Sequence, residues 1–332
     1  MPTPHCHLSV VIPLYNEQES LPELLQQLEQ ALHHPSLQAL FAEPLEYEII
    51  MVDDGSTDGS ASSIRRLATK HCNVRLISFQ RNFGKTAALS AGFAASSGEL
   101  VCTLDADLQD DPSAIAALIT KLHEGYDLVS GWKQQRRDPL SKTIPSKFFN
   151  AVTRLFTGLT IHDANCGLKL YRHDVVKRLE LHGDMHRYIP VLAAWMGFAI
   201  TELPVPHHPR KYGTTKYGFS RFIAGLLDFL SVLFITRYLR RPLHFFGTAG
   251  LLSALCGFGI SLYVTLDKVL LHKPVSNRPI LFLGILLMIL GVQLFSTGLL
   301  GELLSTTNNR HSGFIIRETF NVTDEQVQAL RQ

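Results

Sequence analysis

The stretch TLDADLQDDP, Thr103 to Pro112, sets Asp105, Asp107, Gln109, Asp110 and Asp111 directly after the apolar run ELVCTL. Carboxylates this close repel, so the cluster needs either water around it or a cation among it. Asp105 and Asp107 stand at i and i+2, and extended backbone turns both side chains the same way. Gln109 adds a further oxygen. Such a set suits a hard divalent ion, Mg²⁺ or Mn²⁺, completed by phosphate oxygens and water. A lone D-x-D is a weak signal, because solvated turns are rich in acids; its position along the fold has to decide. Asp110 and Asp111, just before Pro112, read instead as a cap and a first-turn acid for the helix that follows.

Other polar clusters end other apolar runs. Tyr15, Asn16 and Glu17 follow LSVVIPL, and DDGSTDGS, Asp53 to Ser60, follows YEIIMV. Gly55 permits a tight turn, Ser56 or Thr57 can cap the next helix, and Asp58 suits its first turn. A doubled aspartate at the end of a buried strand exceeds what a turn needs. Asp53 or Asp54 can accept hydrogen bonds from a nucleobase or ribose. The turn after the first run has no glycine, and the chain lacks G-x-x-x-x-G-K-[ST], which excludes a dinucleotide fingerprint there and a P-loop anywhere. In HHPRKYGTTKYGFSR, Arg210 and Lys216 either bind phosphates or form a patch beside anionic lipid. In GWKQQRRD, Lys133, Arg136 and Arg137 offer further phosphate partners or solvated surface charge. Asp163, in HDANCGLKLYR, is a base, an orienting group or a turn cap. His186 and Arg187 have no assigned role.

The elements that must position these residues follow from periodicity. Strands are expected at LSVVIPL, YEIIMV, VRLISF, LVCTL and DLVSG, with helices over Ser20–His33, Asp58–His71, Lys85–Ser96 and Pro112–Glu124. Short apolar runs alternating with helices predict an α/β domain with a mostly parallel sheet, covered on both faces. Ligands of such sheets sit at the carboxyl ends of the strands, where YNE, DDGSTD, RNFGK and DADLQ all fall.

The last hundred residues read differently. Leu243 to Leu266 and Ile280 to Gly301 contain no Asp, Glu, Lys or Arg, and each exceeds the ~20 residues that cross a hydrocarbon core. Charged residues are 18% of the chain, against about 25% in soluble proteins. Net charge is +2, which suggests no nucleic-acid partner. Five scattered cysteines fit reduced thiols in the cytosol, and MPTPHCH gives no signal-peptide pattern. Two spans put both termini on one side, and Arg237, Arg240 and Arg241 favour the cytoplasm, although Lys268, Lys273 and Arg278 weaken that sign. Phe222 to Ile235 suits a helix in the headgroup layer, and SKFFNAVTRLFTGL is a second interfacial candidate. The expected organisation is a cytosolic catalytic domain over 1–215, interfacial helices over 216–241, two membrane helices within 242–303 and a cytosolic tail over 304–332.

Together, VVIPLYNEQESL, IIMVDDGSTDGS, RNFGKTAALSAGF, TLDADLQDDP, DANCGLKLYRHDV, HRYIPVLAAWMG and RKYGTTKYGFSRF resemble glycosyltransferase family 2. The resemblance is to the branch that loads a sugar onto a polyprenyl phosphate, the dolichol-phosphate mannose synthase and bactoprenol glucosyltransferase group. It implies a Rossmann-like GT-A fold and a divalent metal, Mg²⁺ or Mn²⁺, at Asp105, Asp107 and Gln109. It implies nucleotide contacts from Pro13, Tyr15, Asn16, Glu17, Asp53, Asp54, Lys85, Asp105 and Ala106. Acceptor-phosphate contacts would come from Arg210 and Lys216. Where relatives often carry Gly-Ser-Arg or a similar triplet, this chain has Gly131-Trp132-Lys133, which leaves it open whether Lys133, Arg136 or Arg137 takes the arginine's role. Asp107, Asp163, Arg210 and Lys216 are the expected catalytic residues, with a nucleotide sugar of the UDP-glucose or GDP-mannose type as donor. The expected site is the inner membrane.

A processive polysaccharide synthase is the nearest alternative, but Gln-x-x-Arg-Trp is absent. A membrane scaffold or nucleotide-sugar sensor would not need the whole acidic and basic constellation. A membrane-bound NAD enzyme lacks its glycine fingerprint. The tail NNRHSGFIIRETF offers a strand to a neighbouring chain, and with it a possible homo-oligomer.

Overall fold

The computed structural model describes residues 6–134, 161–181, 183–209, 211–212, 242–271 and 279–308. Arg136, Arg137, Arg210, Lys216, both interfacial stretches and the tail beyond residue 308 fall outside them. The chain forms two compact units, Met1–Val232 and Leu233–Gln332.

In the first unit, β1 (Leu8–Leu14), β2 (Tyr47–Asp53), β3 (Val74–Ser78), β4 (Leu100–Thr103), β5 (Leu128–Trp132), β6 (Lys169–Arg172) and β7 (Ile200–Pro204) build one sheet of order β3-β2-β1-β4-β6-β5-β7. The helices are α1 (Leu21–Leu32), α2 (Pro35–Gln38), α3 (Ser60–Lys70), α4 (Lys85–Ala95), α5 (Ile115–His123), α6 (His173–Arg178) and α7 (Ile189–Trp195). Every residue of β1 is buried, as a central strand covered on both faces requires. Pro13 is tolerated because it lies beyond the last β4 pairing, Val11 to Thr103. The α1 pattern buries Leu21, Leu24, Leu25, Leu28 and Leu32 on one stripe, the i, i+3, i+4 spacing of an amphipathic helix.

The sheet is parallel except at β6, which runs antiparallel to both β4 and β5. The sequence reading did not place β6 or β7. Reversing β6 has a positional effect. Its first residue, Lys169, pairs with Thr103 at the end of β4 and with Ser130 near the end of β5. The segment leading into it, Asp163 to Gly167, is thereby delivered to the carboxyl rim of the parallel strands.

At the opposite end of the strands a buried carboxylate braces the fold. Glu48 Oε1 accepts from Ser9 Oγ at 2.6 Å and from Ser97 N and Oγ at 2.7 Å, while Arg75 Nη1 lies 2.7 Å from Oε2. Burial alone would raise its pKa, but the Ser9 and Ser97 hydrogen bonds and the Arg75 charge hold it below the ordinary value. A depressed pKa contributes stability above the unfolded value, about 4.3, that is lost as pH falls through the folded value. Glu48→Gln is expected to cost about 2 kcal/mol at neutral pH. The difference from wild type should close in unfolding scans below about pH 4; a pH-independent gap would show that the charge is not what matters.

The second unit holds α8 (Pro242–Leu271) and α9 (Pro279–Asn308). Both are long and apolar enough to cross a membrane, with mean hydropathy 1.8 and 2.3 over their apolar spans. Their large side chains point outward, Phe282 and Leu304 being 75% and 71% exposed, as lipid-facing residues would be. Glycines spaced by seven draw the helices together. A Cβ on Gly250 would lie 2.6 Å from Gly291 O, and one on Gly257 would lie 2.7 Å from Met288 N. Close backbone approach through small residues is how helices associate in lipid.

Candidate active site

The carboxyl rim begins with two loops fastened to each other. Asn16, at φ 57°, donates its N–H to Ser56 Oγ at 2.9 Å, and its Oδ1 accepts from Thr57 N at 2.8 Å. Glu17 N donates to Ser60 Oγ, Gln18 N donates to Asp58 Oδ2, and Gly59 N donates to Gln18 Oε1. The loop after β2 is therefore more than a turn and cap. Ser56 and Thr57 hold the β1 loop, and α3 starts later, at Ser60. Gly55, at φ 69°, presses on the Arg81 backbone; a Cβ there would lie 2.6 Å from Arg81 Cα.

Asp53 and Asp54 turn inward. They are 1% and 4% exposed. Asp53 accepts from Ser56 N and Ser78 Oγ, each at 3.0 Å. Asp54 accepts from Phe83 N at 2.7 Å and Gly84 N at 2.9 Å. The doubled aspartate ties β2 to its own turn and to the loop that starts α4. That loop presents Lys85 as the first residue of α4.

Lys85 Nζ lies 2.5 Å from Asp105 Oδ1. The acid stretch is a turn rather than a continuation of β4, with Leu108 at φ 59°. Exposure still alternates along it. Asp105, Asp107 and Gln109 are partly exposed, whereas Ala106, Leu108 and Asp110 are buried. The three oxygen donors are thus the partly open residues of the stretch, on a backbone path other than the extended one expected. Burial opposes ionisation of Asp105, but Lys85 and then Lys133 outweigh it and push its pKa down to about 2. Burial likewise opposes the Lys85 charge, and Asp105, Asp110 and Asp107 together raise its pKa.

Asp110 is not a helix cap. It is 1% exposed, and its Oδ1 lies 2.6 Å from Lys133 Nζ. Lys133 is accordingly paired with a buried carboxylate. The cap is Asp111, whose side chain accepts from Ser113 N at 2.9 Å. The chain after β7 crosses the same turn: Asp110 bridges His207, and His208 N donates to Gln109 O at 2.9 Å. It then runs to Lys211, 2.8 Å from Glu23 on α1.

The β6 lead-in closes the rim from below. Thr103 Oγ1 donates to Gly167 O at 2.8 Å. Gly167 is required for space: a Cβ would press into the Asp105 carboxylate and lie 2.7 Å from Asp110 Oδ2. Asp163 is 1% exposed, and its carbonyl receives Cys166 N and Ser130 Oγ at 3.5 Å. Lys169 is 4% exposed and donates to Cys166 O; burial chiefly lowers its pKa. Sequence reasoning missed Lys169 and left His186 unassigned. Both line a small cavity together with Lys85, Asp105 and Gly167. A lysine between Leu168 and Leu170 was the signal available for Lys169.

A profile of Glycosyl transferase family 2 matches residues 9–180. That span holds most of the rim, from the first loop to β6. The chain belongs to glycosyl transferase family 2.

This family 2 transferase is 38% identical over 336 residues to the dodecaprenyl-phosphate galacturonate synthase of Rhizobium johnstonii, across 99% of this chain and 96% of the relative. It is 34% identical over 304 residues to the undecaprenyl-phosphate 4-deoxy-4-formamido-L-arabinose transferase of Klebsiella pneumoniae, across 91% and 89%. Its fold is like that of glucosyl-3-phosphoglycerate synthase from Mycobacterium tuberculosis, with a TM-score of 0.51 at 20% identity, over 70% of this chain and 78% of that one. The expected GT-A architecture of the family 2 transferase is the one observed.

Proposed function

We propose that this family 2 transferase moves a sugar from a nucleotide-sugar donor to a polyprenyl phosphate at the cytoplasmic face of the inner membrane, with inversion at the anomeric carbon. The observation that carries the reading is the open oxygen face of Asp105, Asp107 and Gln109 beside Lys85, on a chain with two candidate membrane spans. The end-to-end similarity to a dodecaprenyl-phosphate galacturonate synthase supports the lipid acceptor.

The residues present fit a divalent ion. Among the described residues no three His, Cys, Asp or Glu side chains form a complete metal shell, so the chain offers a partial oxygen set that substrate phosphates and water would finish. Asp105, Asp107 and Gln109 would hold Mg²⁺ or Mn²⁺, and when bound it supplies charge stabilisation for a departing diphosphate. The Lys85 ammonium, which holds Asp105 here, marks the place as one that takes positive charge.

The reaction then asks little of a base. A lipid phosphate oxygen is already an anion, attacks the anomeric carbon and displaces the nucleoside diphosphate as the carbon–oxygen bond to it breaks. Lys85 would turn from Asp105 toward the leaving phosphates, Arg210 and Lys216 would hold the acceptor phosphate, and Asp163 would orient the reacting groups. Tyr15, Asn16 and Glu17, on the fastened loops, would carry the nucleotide. Residues 1–215 would lie in the cytosol and 216–241 at the headgroups, with both termini cytoplasmic.

Neither of the two relatives is named for glucose or mannose, so the donor panel runs wider. Purified protein should be offered UDP-galacturonate, UDP-glucose and GDP-mannose, each with undecaprenyl or dolichyl phosphate and Mg²⁺ or Mn²⁺. At least one donor is expected to yield a lipid-linked sugar that is lost on chelation. No transfer from any donor would overturn the proposal.

A further inference from the structure

His186 sits on the 3-10 turn Met185–Tyr188, about a hundred residues from the loop it touches. Its Nδ1 is 2.8 Å from Thr86 Oγ1, and its own backbone N–H reaches the same oxygen at 3.4 Å. Thr86 directly follows Lys85 in the first turn of α4. The ring lines the cavity that also contains Asp105, Lys169 and Asn165.

Hydrogen-bond accounting favours one tautomer. Thr86 Oγ1 accepts from the His186 backbone, and a hydroxyl has one proton to give. If that proton goes to Nδ1, each of these groups has a partner. The arrangement in which every group is satisfied places the ring proton at Nε2. Burial, with Lys85 and Arg187 close by, also lowers its pKa well below the ordinary value, so it is a neutral donor. Among the described residues no partner is recorded for Nε2.

We infer that His186 is a specificity-determining residue, whose Nε2–H donates to an oxygen of the donor sugar held beside Asp105. This rests on the transferase reading, because it is a nucleotide sugar that would bring an oxygen there. A diphosphate oxygen is the other acceptor that could reach the same place, and the two sources separate experimentally.

The test uses the full chain in detergent with Mn²⁺, titrated by calorimetry. The probes are UDP-galacturonate and UDP, or, if the donor panel selects another donor, that donor and its own nucleoside diphosphate. His186→Asn keeps an amide near Thr86 but withdraws the donor from the cavity. It should weaken the nucleotide sugar about tenfold, the worth of one hydrogen bond, and leave the nucleoside diphosphate within about twofold. His186→Gln carries an N–H to the Nε2 position and should restore most of the lost affinity. Thr86→Val, which frees the tautomer, should produce a smaller loss with the same preference for the sugar-bearing ligand.

Unchanged nucleotide-sugar affinity in His186→Asn overturns the inference. So does an equal loss for both ligands, which would assign the ring to phosphate or to the fold. A wild-type chain that binds nucleotide sugar but transfers nothing to lipid phosphate counts against the transferase reading instead. In that case the two-ligand comparison still decides the role of His186.

Discussion

Asp107→Asn is expected to lower lipid-linked sugar formation by about a hundred- to a thousandfold, a usual loss when one charge-stabilising group is removed. Asp107 is the cleanest probe of the acid turn. It is partly exposed and accepts from Gln109 N at 3.3 Å, so its change to the isosteric amide leaves the local turn able to form. Asp105 is a poorer probe, because changing it also releases Lys85 from a 2.5 Å contact. Two measurements check the result: single-turnover transfer, and Mn²⁺ binding followed by electron paramagnetic resonance. Both should fall together, with the unfolding midpoint little changed. An Asp107→Asn protein with undiminished turnover would remove the metal from the mechanism.

Lys133→Met should act on stability first. The side chains of Lys133 and Asp110 are 12% and 0% exposed. Removing the lysine leaves a buried carboxylate without its partner, a change that typically costs about 3–5 kcal/mol. The pair itself is weak support for the fold, since two buried charges must also be desolvated. The double change Lys133→Met with Asp110→Leu should therefore recover most of the lost stability in thermal unfolding. Activity should not recover, because the Asp110 carboxylate also lies against Gly167 beside Asp105. A single mutant as stable as wild type would overturn the pairing argument. Burial opposes the Lys133 charge, but Asp110 outweighs it and raises the lysine pKa. Its contribution is thus complete below the ordinary lysine value and persists across the working pH range.

Much of the first unit was legible because its signals are local. The run LSVVIPL is β1 residue for residue, and the α1 stripe follows from leucine spacing alone. The open side of Asp105, Asp107 and Gln109 followed from period-two reasoning, although a turn with Leu108 in the left-handed region replaced the imagined strand. What escaped was non-local. Nothing in KLYR announces that β6 will be inserted backwards between β4 and β5, since that position is decided by pairing with strands some 40 to 70 residues away. Asp110 was misread as a helix-cap acid for a related reason. A carboxylate beside a turn looks solvated until its partner arrives, and here the partner is Lys133. His186 needed Thr86, distant in sequence, before its ring had a direction.

The hairpin of α8 and α9 sets a limit on transport. Gly250 and Gly257 press against the opposite helix backbone at Gly291 and Met288, so among the described residues the seam between the two helices is closed at these points. Under the proposed function a lipid-linked sugar would find no passage along this seam, and the helix pair would serve as an anchor rather than a conduit.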